Sequence, residues 1–447
     1  MNTPKEATPA TVAQEPKQVG DTLRQRWRWV EPCVWTERML ETLERGVKGG
    51  KWFALIDKVY EPRNLRRSFG AVWSNRGAAG SDGQSITQFE KRLEAELGKL
   101  GTELREERYQ PHPVRRVYIE KAGSQEKRPL GIPAVRDRVV QTALRHVIEP
   151  IFEREFAPQS YGFRPGRGCK DALRRVDQLL RAGYSHIVDA DIQGYFDSIP
   201  HEALMEAVRS RISDGRVLAL VESFLKQGVL NELREWEPSE SGTPQGAVIS
   251  PLLANLYLHP LDLLMQQSGR EMIRYADDFV ILCRSQAEAE ETLRQIEQWM
   301  SAAGLVLHPQ KTRLVDLNQE GAGFEFLGYH FRRGGKRWPR KKSVHKLKET
   351  LRAKTRRTNG QSLRSIIVEV NPTLRGWYGY FRHSILTGFA ELDGWLRGRL
   401  RAILRKRTGQ QGRGRGADHQ RWTNGFFARH GLLSLHEARL ADIQPHR

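Results

Sequence analysis

The chain has 447 residues, a formal net charge of +20 and a pI of about 10.0. This length allows roughly three domain-sized units, or one large body with an appendage. The strong positive charge predicts a polyanionic partner rather than a cationic or neutral one. Aromatic residues lie among the basic ones, above all near the C-terminus, and this pattern favours nucleic acid over a membrane surface.

Two further features narrow the class of protein. No apolar run approaches the length of a membrane span and no signal peptide is recognisable, so we expect no membrane partner. The three cysteines, Cys33, Cys169 and Cys283, are far apart and have no histidines clustered near them. They therefore predict neither a disulfide framework nor a zinc site, and we interpret them as reduced thiols of a cytoplasmic protein.

The N-terminal part of the chain predicts a disordered tail followed by helices. Residues 1–20 are rich in Pro, Thr and Gln and are expected to be disordered. Residues 21–58 have a helical pattern. The glycine-rich stretch 75–83 lacks the spacings of phosphate-binding loops, so it does not predict a nucleotide cradle.

A basic connection follows the first predicted strand, Val114–Ile119. Lys121 and Arg128 flank this connection, as expected for a hairpin that closes over a phosphate tail. A solvated basic loop is the alternative interpretation. Residues 136–152 predict a helix, and the loop 161–168 combines aromatic and arginine side chains that suit contacts to a nucleic-acid backbone.

Two acids lie near the end of the strand predicted at 186–190. Asp189 and Asp191 have the same strand parity, so either could point toward a site. A turn with two aromatic residues and a helix from about Pro200 follow. Farther along, the Pro/Gly-rich loop beginning at Gly242 leads into another helix, and within it Gly246 permits close approach of a ligand to the backbone.

The most informative stretch is Tyr275–Ala276–Asp277–Asp278, which lies between two apolar runs. Residues 279–283 predict a buried strand. With Ala276–Asp277 as a two-residue connection, the segment is expected to form a tight hairpin with the acids at its tip. Adjacent like charges near a buried sheet repel each other and are desolvated, and a divalent cation offsets both penalties. An ordinary Asp-containing turn is the alternative.

The composition becomes more basic after about Phe331. Residues 324–331 predict one further strand, and 332–342 form a basic linker. Helices rich in Lys and Arg follow, with aromatic residues and glycines mixed at 371–381. We therefore predict a second domain over 332–447, preceded by a main body over 21–331.

The three acids Asp191, Asp277 and Asp278, on neighbouring sheet segments, suit hard cations because these prefer oxygen ligands. Two Mg²⁺ ions about 3.5–4 Å apart can activate an attacking hydroxyl and neutralise a leaving phosphate. With basic residues for a triphosphate and a template, the inferred chemistry is nucleotidyl transfer. A 3′-hydroxyl attacks an α-phosphate, and pyrophosphate leaves.

The order of these motifs resembles that of reverse transcriptases, and more narrowly that of the reverse transcriptase/maturases encoded by bacterial group II introns. The segments that carry the resemblance are 78–83, 128–133, 160–165, 191–196, 243–255, 275–278, 304–312, 326–329 and 371–378. The resemblance implies an α+β right-hand polymerase fold, with fingers and a palm built on an antiparallel sheet, followed by an α-helical thumb/maturase domain.

The resemblance also assigns the acids and their neighbours. Asp191, Asp277 and Asp278 are the expected catalytic residues. The expected positions around two Mg²⁺ ions are Asp191, Ile192, Asp277 and Asp278. Phe196 matches the aromatic residue that excludes a 2′-hydroxyl, with Tyr195 as the alternative.

Further assignments concern nucleotides and nucleic acid. The expected nucleotide-binding residues are Lys121, Arg128, Phe196, Gln245, Gly246 and Lys311. For Lys311, protonation of the leaving pyrophosphate and a solvated helix-end charge are both open. The expected nucleic-acid contacts are Arg164, Arg375, Trp377 and Tyr378.

The implied partners are an RNA template, a DNA or RNA primer, dNTPs and group II intron RNA. The cysteine pairs of the endonuclease domain found in many family members are lacking, so we expect no target cleavage by this protein. Two alternatives stay open: a reverse transcriptase independent of introns, acting in phage defence or DNA repair, and a maturase that only binds RNA. The second predicts decay of the acids, which are all present. The sequence does not indicate an oligomeric state.

Overall fold

The computed structural model describes residues 23–47, 49–120, 127–231, 235–410, 412 and 416–443, without the side chain of Arg128. The expected tail over 1–20 therefore lies outside the described residues. The chain divides into two compact units that interleave along the sequence. The first unit comprises the residues up to 118 together with 129–167 and 194–263, and the second comprises 119–128, 168–193 and 264–447.

The first unit is mainly helical. Its helices are α1 (Glu37–Arg45), α2 (Ile56–Val59), α3 (Pro62–Ser74), α4 (Ile86–Glu90), α5 (Leu93–Arg105), α6 (Val135–Glu153), α8 (Tyr195–Ser198), α9 (His201–Arg209) and α10 (Gly215–Lys226). A four-stranded sheet has the order β2-β1-β4-β5, with strands β1 (Val114–Glu120), β2 (Lys127–Ile132), β4 (Val229–Leu230) and β5 (Trp236–Glu237). The unit boundary crosses β1, β2 and the long helix α11 (Ser250–Gln267).

Helix α6 forms the centre of the first unit, as its apolar periodicity predicts. Most of its residues are buried, including Val139, Val140 and Leu144, which are fully inaccessible. Helix α3 packs beside it, and the side chain of Asn64 donates a hydrogen bond of 3.1 Å to the carbonyl of Ala143. The helix predicted over 136–152 is confirmed within one residue at each end.

The buried acid Glu149 on α6 predicts a pH-dependent stability. Burial raises its pKa from 4.5 to about 7; Arg145 opposes the shift and Glu153 adds to it. In the unfolded chain Glu149 loses its proton at a lower pH than in the folded protein. Its contribution to the free energy of unfolding is therefore fully present below pH 4.5 and is lost as the pH rises toward about 7. We expect Glu149→Gln to stabilise the protein increasingly with pH, by about 2 kcal/mol more at about pH 8 than at about pH 5.

Chemical denaturation at the two pH values would measure this difference. The exposed Glu297→Gln serves as the charge-matched control, for which we expect the same small effect at both pH values. An equal effect of Glu149→Gln at both pH values would contradict the prediction.

The second unit contains the sheet on which the acids lie. Its four strands follow the order β6-β7-β3-β8, and all neighbours are antiparallel. The strands are β3 (His186–Ala190), β6 (Glu271–Tyr275), β7 (Asp278–Cys283) and β8 (Arg313–Asp316), and helices α7 (Cys169–Arg181) and α12 (Gln286–Ala302) pack on the sheet. The expected antiparallel palm sheet is confirmed.

A three-stranded antiparallel sheet follows, built from β9 (Phe324–Phe326), β10 (Tyr329–Phe331) and β11 (Arg337–Pro339). The single strand predicted over 324–331 is wrong, because the chain reverses at Leu327 and Gly328, which have φ of +46° and +82°. The resulting hairpin contacts helix α14 (Leu363–Phe381) through two hydrogen bonds. The Tyr380 hydroxyl donates to the Leu327 carbonyl (2.7 Å), and the Tyr329 hydroxyl donates to the Tyr380 carbonyl (2.6 Å).

The named elements after β11 are all helices within the described residues. They are α13 (Lys341–Lys354), α14, α15 (Thr387–Arg407), α16 (Gly416–Arg421), α17 (Asn424–Arg429) and α18 (Leu435–Ile443). They enclose a hydrophobic core that includes Ile366, Leu374, Phe389 and Leu400. The α-helical C-terminal region expected from the sequence is thereby confirmed. None of the helices in the described part of the chain is long and apolar enough to cross a bilayer.

Candidate active site

The acidic hairpin has the predicted geometry. Strands β6 and β7 pair from Tyr275 opposite Asp278, which leaves Ala276 and Asp277 as the two-residue connection. Ala276 has a φ of +61°, a left-handed conformation that residues with a Cβ rarely adopt. Such strain persists only where surrounding contacts hold the turn.

One of these contacts comes from Arg274, whose side chain is fully buried. Its Nη1 donates a hydrogen bond of 2.8 Å to the carbonyl of Ala276. The guanidinium thus stabilises the strained turn at Ala276. We identify Arg274 as a residue that positions the acids of this turn. Sequence reasoning did not single it out, although an arginine inside an otherwise apolar strand beside an acidic turn was a usable signal.

Strand β3 brings the third acid to the hairpin. Ala190 pairs with Phe279 in the antiparallel register, and the next step of this register sets Asp191 opposite Asp278. Asp191 follows the last residue of β3, and its carbonyl accepts a hydrogen bond of 2.8 Å from the backbone N–H of His308. The buried Ile192 then forms a β-bridge with Leu307, so only its backbone could serve as a ligand.

Burial and the neighbouring acids raise the pKa of Asp278. The pKa of Asp278 rises from 3.8 to about 7, chiefly because the carboxyl is buried and then because Asp277, Asp189 and Asp191 are near. A hydrogen bond from the backbone of Leu327 opposes this shift. Negative charge is therefore concentrated at this edge of the sheet, as a cation site requires.

Two cations distinguish Asp189, on β3, from Asp191, which follows β3. The sequence alone did not show which of the two acids belongs to the site. Arg313 on β8 donates from Nε and Nη2 to Oδ2 of Asp189, each at 3.0 Å. Burial raises the pKa of Asp189 and Arg313 opposes that rise. Asp189 is thus engaged in an ion pair within the sheet, which favours Asp191 as the acid of the site.

The second cation is Lys311, whose Nζ lies 2.6 Å from Oδ2 of Asp191. The Lys311 side chain is 59% exposed while its ammonium pairs with Asp191, so the role of a solvated charge stays open. A role as general acid stays a prediction.

The donor set fits a hard divalent cation in its chemistry. Three carboxylates lie on adjacent strand ends, and carboxylate oxygens are preferred ligands of Mg²⁺. In the described parts of the chain, however, no three His, Cys, Asp or Glu side chains already form a metal-binding group. One of the three carboxylates, that of Asp191, is paired with the Lys311 ammonium.

The expected nucleotide-binding residues Phe196, Gln245 and Gly246 belong to the first unit. Tyr195 is buried and its hydroxyl donates to the Ala254 carbonyl (2.5 Å), whereas Phe196 is only partly buried. This difference favours Phe196 over Tyr195 as the residue that contacts a sugar. Gly246 has a φ of +108°, and a Cβ there would lie 2.5 Å from the Gly131 carbonyl oxygen, so this position requires glycine.

Gln245 lines a cavity of about 360 Å³ within the first unit. Arg116 and Asp197 also line it, and Nε2 of Gln245 lies 3.4 Å from Oδ2 of Asp197. Burial raises the pKa of Asp197 while Arg116 opposes this rise. Sequence reasoning did not select Asp197 or Arg116. Lys121 lies outside the described residues, and of Arg128 only the position in β2 is described.

Arg164 is not available for nucleic acid, contrary to the sequence prediction. Its side chain is buried and forms a two-pronged ion pair with Glu153, with distances of 2.8–3.1 Å. The remaining donors bond to the carbonyls of Phe156, Ala157 and Ser160. Arg164 therefore holds the loop 161–168 to the end of α6.

The three nucleic-acid contacts expected on α14 differ in exposure. Arg375 is exposed, and stays a predicted contact. Trp377 packs against Phe381 and Phe389, at centroid distances of 4.7 and 6.1 Å. Tyr378 packs on Phe389 at 5.7 Å and donates to Asp442. Both rings are partly buried and pack against the core of the C-terminal helices, so their role as stacking surfaces stays a prediction.

Comparison with known proteins gives two family matches. Residues 119–331 match the reverse transcriptase (RNA-dependent DNA polymerase) family. Residues 344–422 match the maturase-specific domain of group II introns. The first match contains the whole sheet that carries the acids, and the second lies within the helical C-terminal region.

Individual relatives agree with these matches. The protein YkfC of Escherichia coli K12 is 35% identical over 325 residues, which cover 64% of this chain and 84% of YkfC. The group II intron-encoded protein LtrA of Lactococcus lactis subsp. cremoris is 40% identical over 196 residues, 44% of this chain and 32% of LtrA. An uncharacterized 91 kDa protein in the cob intron of Schizosaccharomyces pombe is 32% identical, covering 53% of this chain and 35% of that protein.

The chain thus spans most of YkfC and about a third of the two intron proteins. The polymerase match and the maturase match follow each other in the order that the motifs predicted, and the acids lie within the first. The chain belongs to the reverse transcriptase/maturase family encoded by group II introns, whose enzymatic class is RNA-directed DNA polymerase.

Proposed function

We propose that this protein copies RNA into DNA with two Mg²⁺ ions held by Asp191, Asp277 and Asp278 and by the backbone of Ile192. The observation that supports the proposal is the convergence of these carboxylates at one sheet edge, where their mutual repulsion and burial raise the pKa of Asp278 to about 7. When bound, Mg²⁺ would lower the pKa of the primer 3′-hydroxyl and neutralise charge on the leaving pyrophosphate.

The chain's own residues would bind and orient the reactants. Asp191 would hold a cation in place of its ion pair with Lys311, and the Lys311 ammonium beside it would be placed to donate a proton to pyrophosphate. Arg274 keeps the turn at Ala276 in its left-handed form, so that Asp277 and Asp278 keep their spacing. In this proposal the acids hold the cations, Lys311 donates a proton, and Arg274 positions the acidic turn.

For the nucleotide, we assign Phe196 to the sugar and Gln245 with Gly246 to the base and template. Gln245 supports this because it lines a cavity of about 360 Å³ within the first unit. Lys121 and Arg128 are the proposed triphosphate ligands.

For RNA, we assign the main body 21–331 to polymerisation and 332–447 to binding of the intron RNA and assistance of splicing. The basic helices of the C-terminal region and the exposed Arg375 support this assignment. The primer, whether DNA or RNA, is held with the template.

Primer extension tests the proposal. The purified protein is supplied with an RNA template, an annealed DNA primer and dNTPs, and extension is followed on a denaturing gel with Mg²⁺ or with EDTA. We expect full-length products only with Mg²⁺. Tight RNA binding without extension under any divalent cation would instead indicate a binding maturase.

A further inference from the structure

The C-terminal region contains a cavity of about 400 Å³ between the residues that follow α13, helix α15 and helix α16. Arg357, Arg399, Arg401 and His419 are among the side chains that line it. No Asp or Glu belongs to its lining among the residues that the structure describes. Two acids of α15 and α16 bind partners outside this lining. Asp393 accepts hydrogen bonds from the backbone of Leu435 and His436, and Asp418 pairs with Arg405.

Among the residues that the structure describes, Arg399 and Arg401 donate their side-chain hydrogen bonds to neutral acceptors. Arg399 donates to Oγ1 and to the carbonyl of Thr355, at 2.7 and 2.9 Å. Arg401, which is 4% exposed, donates to the Trp422 carbonyl at 2.8 Å and to the side-chain oxygen of Asn424 at 3.1 Å. All of these acceptors are neutral, so their hydrogen bonds orient the guanidinium groups without cancelling their charge.

The cations also repel one another. The pKa of Arg399 is lowered by burial and then by the charges of Arg352 and Arg357. The pKa of Arg401 is lowered by burial and then by Arg397. A cavity in which a buried and a partly buried arginine donate to neutral acceptors and lie near further cations favours an anion.

Three cations lie around the ring of Trp395, which lines the cavity. Lys348, Arg352 and Arg399 lie 5.5–5.7 Å from the centre of its indole ring. These cations extend the positive surface from the cavity along α13, where Glu349 is the one acidic residue. An extended row of cations suits a ligand with several anionic groups in succession rather than one small anion.

Two glycines of α15 form an open wall of the cavity. Gly394 and Gly398 lie one helical turn apart, and a Cβ built on either would meet no atom within 4 Å. Glycine weakens a helix relative to alanine, and packing within the protein gives no reason for it here. Close approach of a ligand to the helix backbone gives such a reason.

We propose that this arginine cavity binds a backbone phosphate of RNA, with the neighbouring phosphates following the basic face of α13. Arginine forks recognise phosphate oxygens with two hydrogen bonds, and the cavity is large enough for a phosphate with its sugar. The proposal rests on the RNA-binding function proposed above and specifies where in residues 332–447 the RNA is held.

Gly398→Ala in the full chain is the first test. The added methyl group meets no protein atom within 4 Å and removes a helix-weakening glycine, so we expect an unchanged or higher melting temperature. Because the same methyl group intrudes on the ligand, we expect the affinity for a structured RNA hairpin, measured by filter binding, to fall about tenfold. The control Gly70→Ala, on the exposed face of α3, should leave RNA affinity unchanged.

Arg357→Met is the second test, since this arginine is exposed and lines the cavity. We expect the slope of log affinity against log salt concentration to decrease by about one, the loss of one phosphate contact. Wild-type RNA affinity in Gly398→Ala, or a wild-type slope in Arg357→Met, would overturn the proposal.

Two further outcomes are distinguishable. Inorganic phosphate that raises the melting temperature of the wild type but not of Gly398→Ala, together with equal RNA affinities, would assign the cavity to a free anion and overturn the proposal. Failure of the wild type itself to bind any RNA would instead count against the proposed function.

Discussion

Asp277→Asn is expected to lower the rate of primer extension by at least about 10³-fold, the scale on which loss of a charged group that stabilises a transition state acts. Asparagine keeps the size of the side chain and can occupy the same turn, but it removes one negative charge. The remaining acids then repel each other less, and the site attracts divalent cations more weakly. Single-turnover extension on an RNA template with saturating Mg²⁺ measures the effect.

The control for this variant is Glu297→Gln, which removes one exposed negative charge from α12 in the same unit. We expect this control to extend primers at the wild-type rate. RNA affinity of Asp277→Asn should also equal that of the wild type, because nucleic-acid binding depends on other residues. Extension by Asp277→Asn within a few-fold of the wild type would rule out the acidic hairpin as the catalytic centre.

Arg164→Met is expected to destabilise the protein by about 3–5 kcal/mol, the range found when one partner of a buried ion pair is removed. The Arg164 and Glu153 side chains are only 3% and 12% exposed. The substitution leaves the Glu153 carboxylate without its main partner and three carbonyls with fewer donors. Urea denaturation near neutral pH measures the change in the free energy of unfolding.

Arg174→Met is the appropriate comparison, because it breaks an ion pair with Asp171 whose side chains are 66% and 40% exposed. An exposed pair of this kind contributes at most about 0.5 kcal/mol. RNA affinity of Arg164→Met, measured at a temperature where the variant is folded, should equal that of the wild type. A stable variant with weakened RNA binding would restore the role that the sequence suggested for Arg164.

The acidic hairpin was predictable because residues close together in the sequence determine its structure. A two-residue connection between apolar strands limits the register to one choice, and the register Tyr275 to Asp278 is the one found. The partners of the acids on β3 were not predictable in this way. Asp189 and Asp191 have equal parity, and they are distinguished by Arg313 and Lys311, which lie 124 and 120 residues farther along the chain.

Composition misled the interpretation in two places. The loop 161–168 has the glycine, arginine and aromatic content of a nucleic-acid contact, yet the partner of Arg164 is a glutamate of the preceding helix. The stretch 324–331 is apolar enough for one strand, but backbone conformations with positive φ at Leu327 and Gly328 divide it into two. The first error arises because Arg164 binds a buried acceptor, and the second because the backbone conformation ends the strand. Neither feature can be read from amino-acid composition.

The division into compact units was also hidden from the sequence. Residues 168–193 group with the palm strands and the C-terminal helices, whereas 194–263 group with the N-terminal helices. The predicted boundary near residue 332 reflects the change in composition and lies between the two family matches, and it stays a prediction.

The hydrogen bonds around the Leu327 turn bear on how such enzymes can be recombined. The Leu327 backbone donates to Asp278, its carbonyl accepts from Tyr380, and Tyr329 returns a bond to the Tyr380 carbonyl. Asp278, a proposed catalytic acid, and the C-terminal helix α14 thus both form hydrogen bonds with one short hairpin. A chimera joined at residue 332 would keep the Leu327 turn and replace helix α14. The hydrogen bond to the Leu327 carbonyl would be kept only if the second parent chain has a tyrosine at the position of Tyr380.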